Sequence, residues 1–269
     1  MQFSQCTGDV TMITHMVIPD TQCKDEQDFE YLTRIGQYIV EVQPQVVVHL
    51  GDFADMPSLS SYDVGKKSFE GRRYTKDIEA AKKAMHCLLD PLYSYNANAK
   101  LQKKKQYHPR KVMLLGNHEN RIARAINDDP KLEGLISYKD LPYNDWEVHD
   151  FLVPVFIDGI AYSHYFPTGV MGRAATTASA MISKLHMSCI AGHQQGKQVA
   201  YGKRPDGSTI TCIIAGSCYE HDEDYLGPQG NNHFRGILMA YDVQNGSFDE
   251  HFVSLKYLKE HYAKSDTLR

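Results

Sequence analysis

Apolar residues gather into short blocks along the first half of the chain, and each block stops at a polar or glycine-containing step. Residues 12–18 form one such block, and the Pro19-Asp20 step that closes it predicts a buried strand. Residues 25–42 carry Phe29, Leu32, Ile35 and Ile39 at helical spacing behind an acidic start, which predicts a helix. The β-branched run QVVVHL at 45–50 has no polar alternation and predicts a strand covered on both faces. Residues 75–95 set Ile78, Ala81, Met85, Leu88 and Leu92 on one helical stripe, and KVMLL at 111–115 predicts a third buried strand. A short helix through Arg121 and Ile126 should follow it.

Beyond Trp146 the texture changes to short strands, predicted over 152–157, 160–164, 188–191, 197–202, 209–215, 235–243 and 248–257. Turn signals at Asp158-Gly159, Asp206-Gly207 and Asn245-Gly246 separate them, the last two favouring hairpins. One helix, 172–185, interrupts the series. Strand–helix alternation joined to hairpins predicts an α/β fold of two packed sheets with helices outside. No internal repeat or long linker breaks residues 1–269, so one domain is expected.

Composition narrows the function classes. The 269 residues are 42% hydrophobic and 23% charged, which suits a buried core rather than disorder. A formal net charge of -4 argues against a general polyanion binder, although local basic patches remain compatible with it. No secretory leader and no membrane-length apolar run is visible, so no membrane partner is expected. The 6 cysteines are scattered without a Cys-x-x-Cys pair, which suits reduced thiols in a cytoplasmic protein and gives no support to a zinc ribbon.

The chemistry sits where apolar strands end. Three of them lead into Asp20-Thr21-Gln22, Gly51-Asp52-Phe53-Ala54-Asp55 and Gly116-Asn117-His118-Glu119. Two later ones lead into His164 and Gly192-His193-Gln194-Gln195. In open α/β sheets the carboxyl ends of neighbouring strands converge on one crevice. Oxygen donors beside imidazoles at such turns suit a divalent metal ion.

This ordered set resembles the calcineurin-like metallophosphoesterase superfamily, from Asp20 to Gln195. The resemblance implies a four-layer αββα sandwich of two mixed β-sheets and two divalent ions. It implies that Asp52 bridges the ions, that Asn117, His164 and His193 complete one site, and that Asp20 holds the other with positions 22 and 195. His118 would serve as general acid or transition-state stabiliser, and Asp55 would orient ligands or water. The implied reaction is phosphoester hydrolysis, with the ions clamping the phosphoryl group and acidifying a water. Gln22 and Gln195 stand where the family usually places histidines, and both fall on one ion. Amide oxygens make that site harder, favouring Mn²⁺ or Mg²⁺ over zinc or iron. They are also weaker donors, so a metal-binding relative without turnover stands as the alternative.

Lys66, Lys67, Arg72 and Arg73 interleave with Phe69 and Tyr74 shortly after the Gly-Asp motif, and Arg121 and Arg124 follow the Gly-Asn-His-Glu motif. Cations with aromatics beside a phosphoesterase centre suit a DNA or RNA backbone, which makes a nuclease-like phosphodiesterase the leading reading. A phosphomonoesterase acting on phosphoprotein or a small metabolite is the second, and an ordinary charged surface is the bland account of the loop. His15 and His49 lie in apolar strands and read as core histidines, and Cys23 reads as a structural thiol. His221 falls in an acidic loop, while His233 and Arg235 read as polarity at the start of a strand. The oligomeric state is left open.

Overall fold

Strand β1 (His15–Ile18) shows how the layers arise. Its side chains alternate: Met16 and Ile18 join one apolar cluster while Val17 joins another. A two-residue period on a strand without polar positions means that both of its faces are covered. The computed structural model describes residues 12–61, 65–222 and 227–266.

After β1 come α1 (Glu30–Val42), β2 (Val46–His49), α2 (Tyr74–Leu101), β3 (Arg110–Leu114), α3 (Arg121–Asp128) and β4 (Glu147–His149). The second half holds β5 (Val155–Ile157), β6 (Ile160–Ser163), α4 (Ala178–Leu185), β7 (Cys189–Ala191), β8 (Gln198–Lys203) and β9 (Thr209–Ile214). A short α5 (Gly227–Asn231), the hairpin β10 (Gly236–Gln244) and β11 (Ser247–Ser254), and α6 (Leu255–Asp266) complete it.

Two mixed sheets result, ordered β11-β10-β1-β2-β3-β4 and β5-β6-β7-β9-β8. Strands β1 to β4 are mutually parallel, as are β6, β7 and β9. Val17, Val48, Val112 and Leu114 of the first sheet meet Tyr162, Ile190 and Ile213 of the second in the central core. Met16, Val47 and Met113 pack outward against Leu32 and Ile35 of α1 and Leu88 of α2. Cys212 and Ile214 pack outward on the other side, against Ala178 and Met181 of α4. The architecture is a four-layer αββα sandwich. No helix among the described residues is long and apolar enough to cross a membrane.

Asn245 and Gly246 both take positive φ, 51° and 83°, the requirement of the tight turn that joins β10 to β11. Helix α2 continues past the expected end at 95 to Leu101 and carries Pro91 in its interior. Helix α1 meets it at Gly36, where a Cβ would stand 2.3 Å from the Leu88 carbonyl oxygen and 2.9 Å from Pro91 Cγ. The glycine is there because two helix backbones touch. Other elements differ from expectation as well: β4 and the short α5 are not among the predicted ones, α4 begins at Ala178 rather than 172, and the last strand stops at Ser254, where α6 begins.

Candidate metal centre

The loops that follow β1, β2, β3, β6, β7 and β9 meet at one rim of the sandwich. Asp20, directly beyond β1, is fully buried and accepts the His193 backbone N–H at 3.0 and 3.1 Å. Asp52, beyond β2, sits at φ 51°, a left-handed conformation that costs a non-glycine residue energy and is held by its surroundings. Its Oδ1 accepts the His118 N–H at 2.8 Å. Gly116 is pressed against it, since a Cβ there would lie 2.0 Å from Asp52 Oδ1.

Glu119 clasps these two loops together. Its carboxylate accepts the backbone N–H groups of Asp52, Ala54 and Gly116 at 2.8 to 3.0 Å, and the Tyr143 hydroxyl at 2.9 Å. Four donors satisfy a buried charge that would otherwise be costly. Glu119 closes the Gly-Asn-His-Glu motif, but its separation of 67 residues from Asp52 conceals this contact in the sequence.

Ligand atoms of Asp52, His164 and His193 lie within 4.8 Å of one another. Asn117 Oδ1 joins them, 2.9 Å from His164 Nε2 and 2.8 Å from His193 Nδ1. His164 Nδ1 donates to the Leu50 carbonyl at 2.9 Å. With Nδ1 so engaged, Nε2 faces the Asn117 amide oxygen and Asp52 Oδ2, 3.4 Å away. Two acceptors turned on that nitrogen call for a cation among them, a proton on the ring or a metal ion in its place, and the nitrogen and oxygen donors fit a divalent ion with the Leu50 carbonyl fixing the ring. Burial, then His164, pushes His193 down to about 4, which leaves it neutral as a metal ligand must be.

Asp20 is pushed up to about 7, chiefly by burial. Asp52 feels the same burial, but His118 and His164 outweigh it and lower its pKa. Gln22 is buried at φ 44° and lines a cavity of about 770 Å³ together with Asp55, His118 and Arg121. Gln195 Oε1 accepts the Tyr219 hydroxyl at 2.6 Å. If Gln22 and Gln195 joined Asp20 on one ion, as the sequence motif implies, its donors would be oxygens, a set that suits a hard ion.

His118 stands at the mouth of that cavity. Its Nδ1 is 2.7 Å from Asp55 Oδ1, off the line of an ideal N–H···O bond, and its Nε2 is 3.2 Å from Arg121 Nη2. Burial alone would lower the ring's pKa, but Asp52 and Asp55 overcome it and raise it to about 9. Arg121 is braced in turn by the Asp55 backbone oxygen at 2.7 Å. Asp55 is held down to about 2, because His118 overcomes the opposing effect of burial.

The basic loop contributes unevenly. Lys66, Arg72 and Arg73 line the cavity and Lys67 does not. Arg72 donates to the Pro57 carbonyl at 3.0 Å and lies over the Phe69 ring, and Lys76 pairs with Asp25 at 3.0 Å. Asp25, Glu26, Glu70 and Asp77 share the lining, so the wall is of mixed charge. Asp63, at the start of that loop, lies outside the described residues.

Several side residues have structural partners. His49 is buried, with Nδ1 accepting the Gly51 N–H at 3.2 Å and Nε2 donating to Thr21 Oγ1 at 3.3 Å. His15 joins Tyr162 and Asp158 at 2.7 and 3.0 Å. Burial pushes the Cys23 thiol up to about 12. His221 stacks on Tyr219, and His233 Nε2 meets Ser217 Oγ at 2.8 Å.

Residues 13–171 match the calcineurin-like phosphoesterase family. The chain belongs to that family. The match ends before His193 and Gln195, which the calcineurin-like fold nevertheless delivers to the same rim through the loop after β7. Among solved structures it is similar to a dimetal phosphatase from Danio rerio, at 13% identity and a TM-score of 0.43 over 90% of this chain and 96% of that one. It is also similar to a Vps29 variant from Entamoeba histolytica, at 11% identity and a TM-score of 0.39 over 90% and 99% of the two chains. No curated protein matches the sequence.

Proposed function

We propose that this chain is a metal-dependent phosphoester hydrolase. The observation that carries the reading is the convergence of Asp52, Asn117, His164 and His193 donors beside a His118–Asp55–Arg121 group at a cavity mouth. Asp52, Asn117, His164 and His193 would hold one divalent ion, and Asp20, Asp52, Gln22 and Gln195 a second, with Mn²⁺ favoured and Mg²⁺ as the alternate. Bound there, such ions would neutralise phosphoryl charge and acidify a water.

The chain's own groups supply the rest. His118, with its pKa raised to about 9, carries a proton at neutral pH and hands it to the departing oxygen as the P–O bond breaks. Asp55 holds the ring, and the Arg121 guanidinium beside it adds positive charge where the phosphoryl group develops negative charge. The cavity beside His118 receives the leaving group. Lys66, Arg72 and Arg73 on its wall support a nucleic-acid phosphodiester as substrate. The free cysteines among the described residues support a reducing, cytoplasmic setting.

One observation favours a second reading. Both imidazoles expected on the Asp20 side are amides, which are weaker donors and suit a metal-binding relative without turnover. A single-stranded oligonucleotide, bis(p-nitrophenyl) phosphate and p-nitrophenyl phosphate, each assayed with Mn²⁺, separate the readings. The nuclease reading expects the two diesters to be cleaved, with oligonucleotide cleavage alone weakened by alanine at Lys66, Arg72 and Arg73. Preference for the monoester would redirect the assignment to a phosphomonoesterase, and inertness toward all three would favour the non-catalytic relative.

A further inference from the structure

We propose that Tyr219 is a positioning residue for the metal centre, fixing the Gln195 amide so that its oxygen is presented as a ligand. The inference rests on the two-ion reading given above. A glutamine differs from the histidine it replaces in having one more torsion and two dissimilar ends, of which only the oxygen binds a cation. Left alone, such a side chain samples many rotamers, and ordering it costs conformational entropy. A neighbour that donates a hydrogen bond to the amide oxygen selects that end. An amide oxygen carries two lone pairs, so one donated hydrogen bond does not by itself exclude a cation.

Tyr219 is built for this task. Its hydroxyl donates to Gln195 Oε1 at 2.6 Å, and the residue is fully buried. The ring cannot swing away. It stacks on His221 with centroids 4.3 Å apart, carries the Arg235 guanidinium 5.3 Å from its centroid, and meets His233 edge-on at 5.9 Å. These neighbours are anchored in turn. Gln27 Nε2 lies 2.8 Å from His221 Nδ1, and Arg235 donates to the Glu220 and Asn231 carbonyls at 2.9 and 3.2 Å. The same loop reaches the other oxygen ligand on this side, since the Cys218 N–H donates to the Asp20 carbonyl at 2.7 Å. The loop after β9 therefore holds both Asp20 and Gln195 from behind, and His221, His233 and Arg235 act as the frame around Tyr219.

The test is Tyr219→Phe, which keeps the ring and its stacking and removes one oxygen atom. Mn²⁺ is titrated into chelator-stripped protein by calorimetry, with electron paramagnetic resonance on the same samples and circular dichroism to verify the fold. Wild-type protein should take two ions and show an exchange-coupled spectrum. Tyr219→Phe should bind the first ion unchanged and the second ~10–100-fold more weakly, giving the six-line spectrum of an isolated ion at equal loading. Adding Gln195→His to that variant should restore the second ion, because an imidazole presents its nitrogen without the phenol. Wild-type affinity for both ions in Tyr219→Phe would overturn the proposal while leaving the two-ion reading intact. A wild-type protein that takes one ion only would overturn both.

Discussion

Asp20 and Asp52 are buried carboxylates beyond neighbouring parallel strands, yet their surroundings push them in opposite directions. Two imidazoles keep Asp52 ionised, whereas burial dominates at Asp20. A cation beside Asp20 would favour its ionised form and offset that imbalance. His49 shows burial acting without compensation. It is held down to about 3 against 6.5 for a free imidazole. Between those values the unfolded chain binds a proton that the folded chain does not, so acid favours unfolding. Stability should be complete above about pH 6.5 and fall toward pH 3 by up to ~1.4 kcal/mol per pH unit from this residue. His15, also lowered by burial, adds to the same trend. Asparagine at position 49 preserves an acceptor for the Gly51 N–H but does not titrate. Urea unfolding at pH 7, 6 and 5 should therefore show a shallower loss for His49→Asn, and equal slopes would contradict the assignment.

At the scale of elements, strands whose composition alone encodes double burial were legible: β1 and β2 fall within their predicted spans and β3 overlaps most of its own. Of these, β3 begins one residue ahead of its predicted span, at Arg110 rather than 111. The motifs at the strand ends were legible too, because a strand that stops at glycine and acid states both its limit and its chemistry. Strand β4 was not legible, since Glu147, Val148 and His149 have little burial and are a strand only by pairing with β3. Helix α6 was missed because its apolar residues, Leu255 and Leu258, follow directly on the alternating pattern of β11. Helix α2 runs past its predicted end at 95 to Leu101, and α1 packs against it at Gly36 beside Pro91. That interface makes a prediction of opposite sign to helix propensity. Alanine at Gly36 would gain ~1 kcal/mol as a helix former. Its Cβ, however, would meet a backbone oxygen at 2.3 Å, and overpacking of this kind costs ~1–3 kcal/mol or more. Gly36→Ala should lower the urea midpoint; a raised midpoint would show that the helices separate freely.

At the scale of the molecule, two sheets bring six loops to one rim, and the site is assembled from residues up to 173 positions apart. The ordered motifs carried most of this assembly into the sequence. What they could not carry was the support behind the ligands. Glu119 and Tyr219 act across the fold on residues far from them in the chain, and neither contact leaves a spacing signal. The charge of the basic loop was read from one strand of sequence, whereas the cavity wall also includes acids from the loop after β1 and from α2. The central claim is that the Asp52, Asn117, His164 and His193 donors make a working hydrolytic metal centre. Its most direct test is hydrolysis of bis(p-nitrophenyl) phosphate by chelator-stripped protein, measured before and after Mn²⁺ is restored and repeated with Asp52→Asn. The account predicts no turnover without the ion, turnover when it returns, and a loss in Asp52→Asn beyond the ~10–100-fold that removing an outer partner of a metal ligand causes. Bound Mn²⁺ with no hydrolysis of the ester would contradict it.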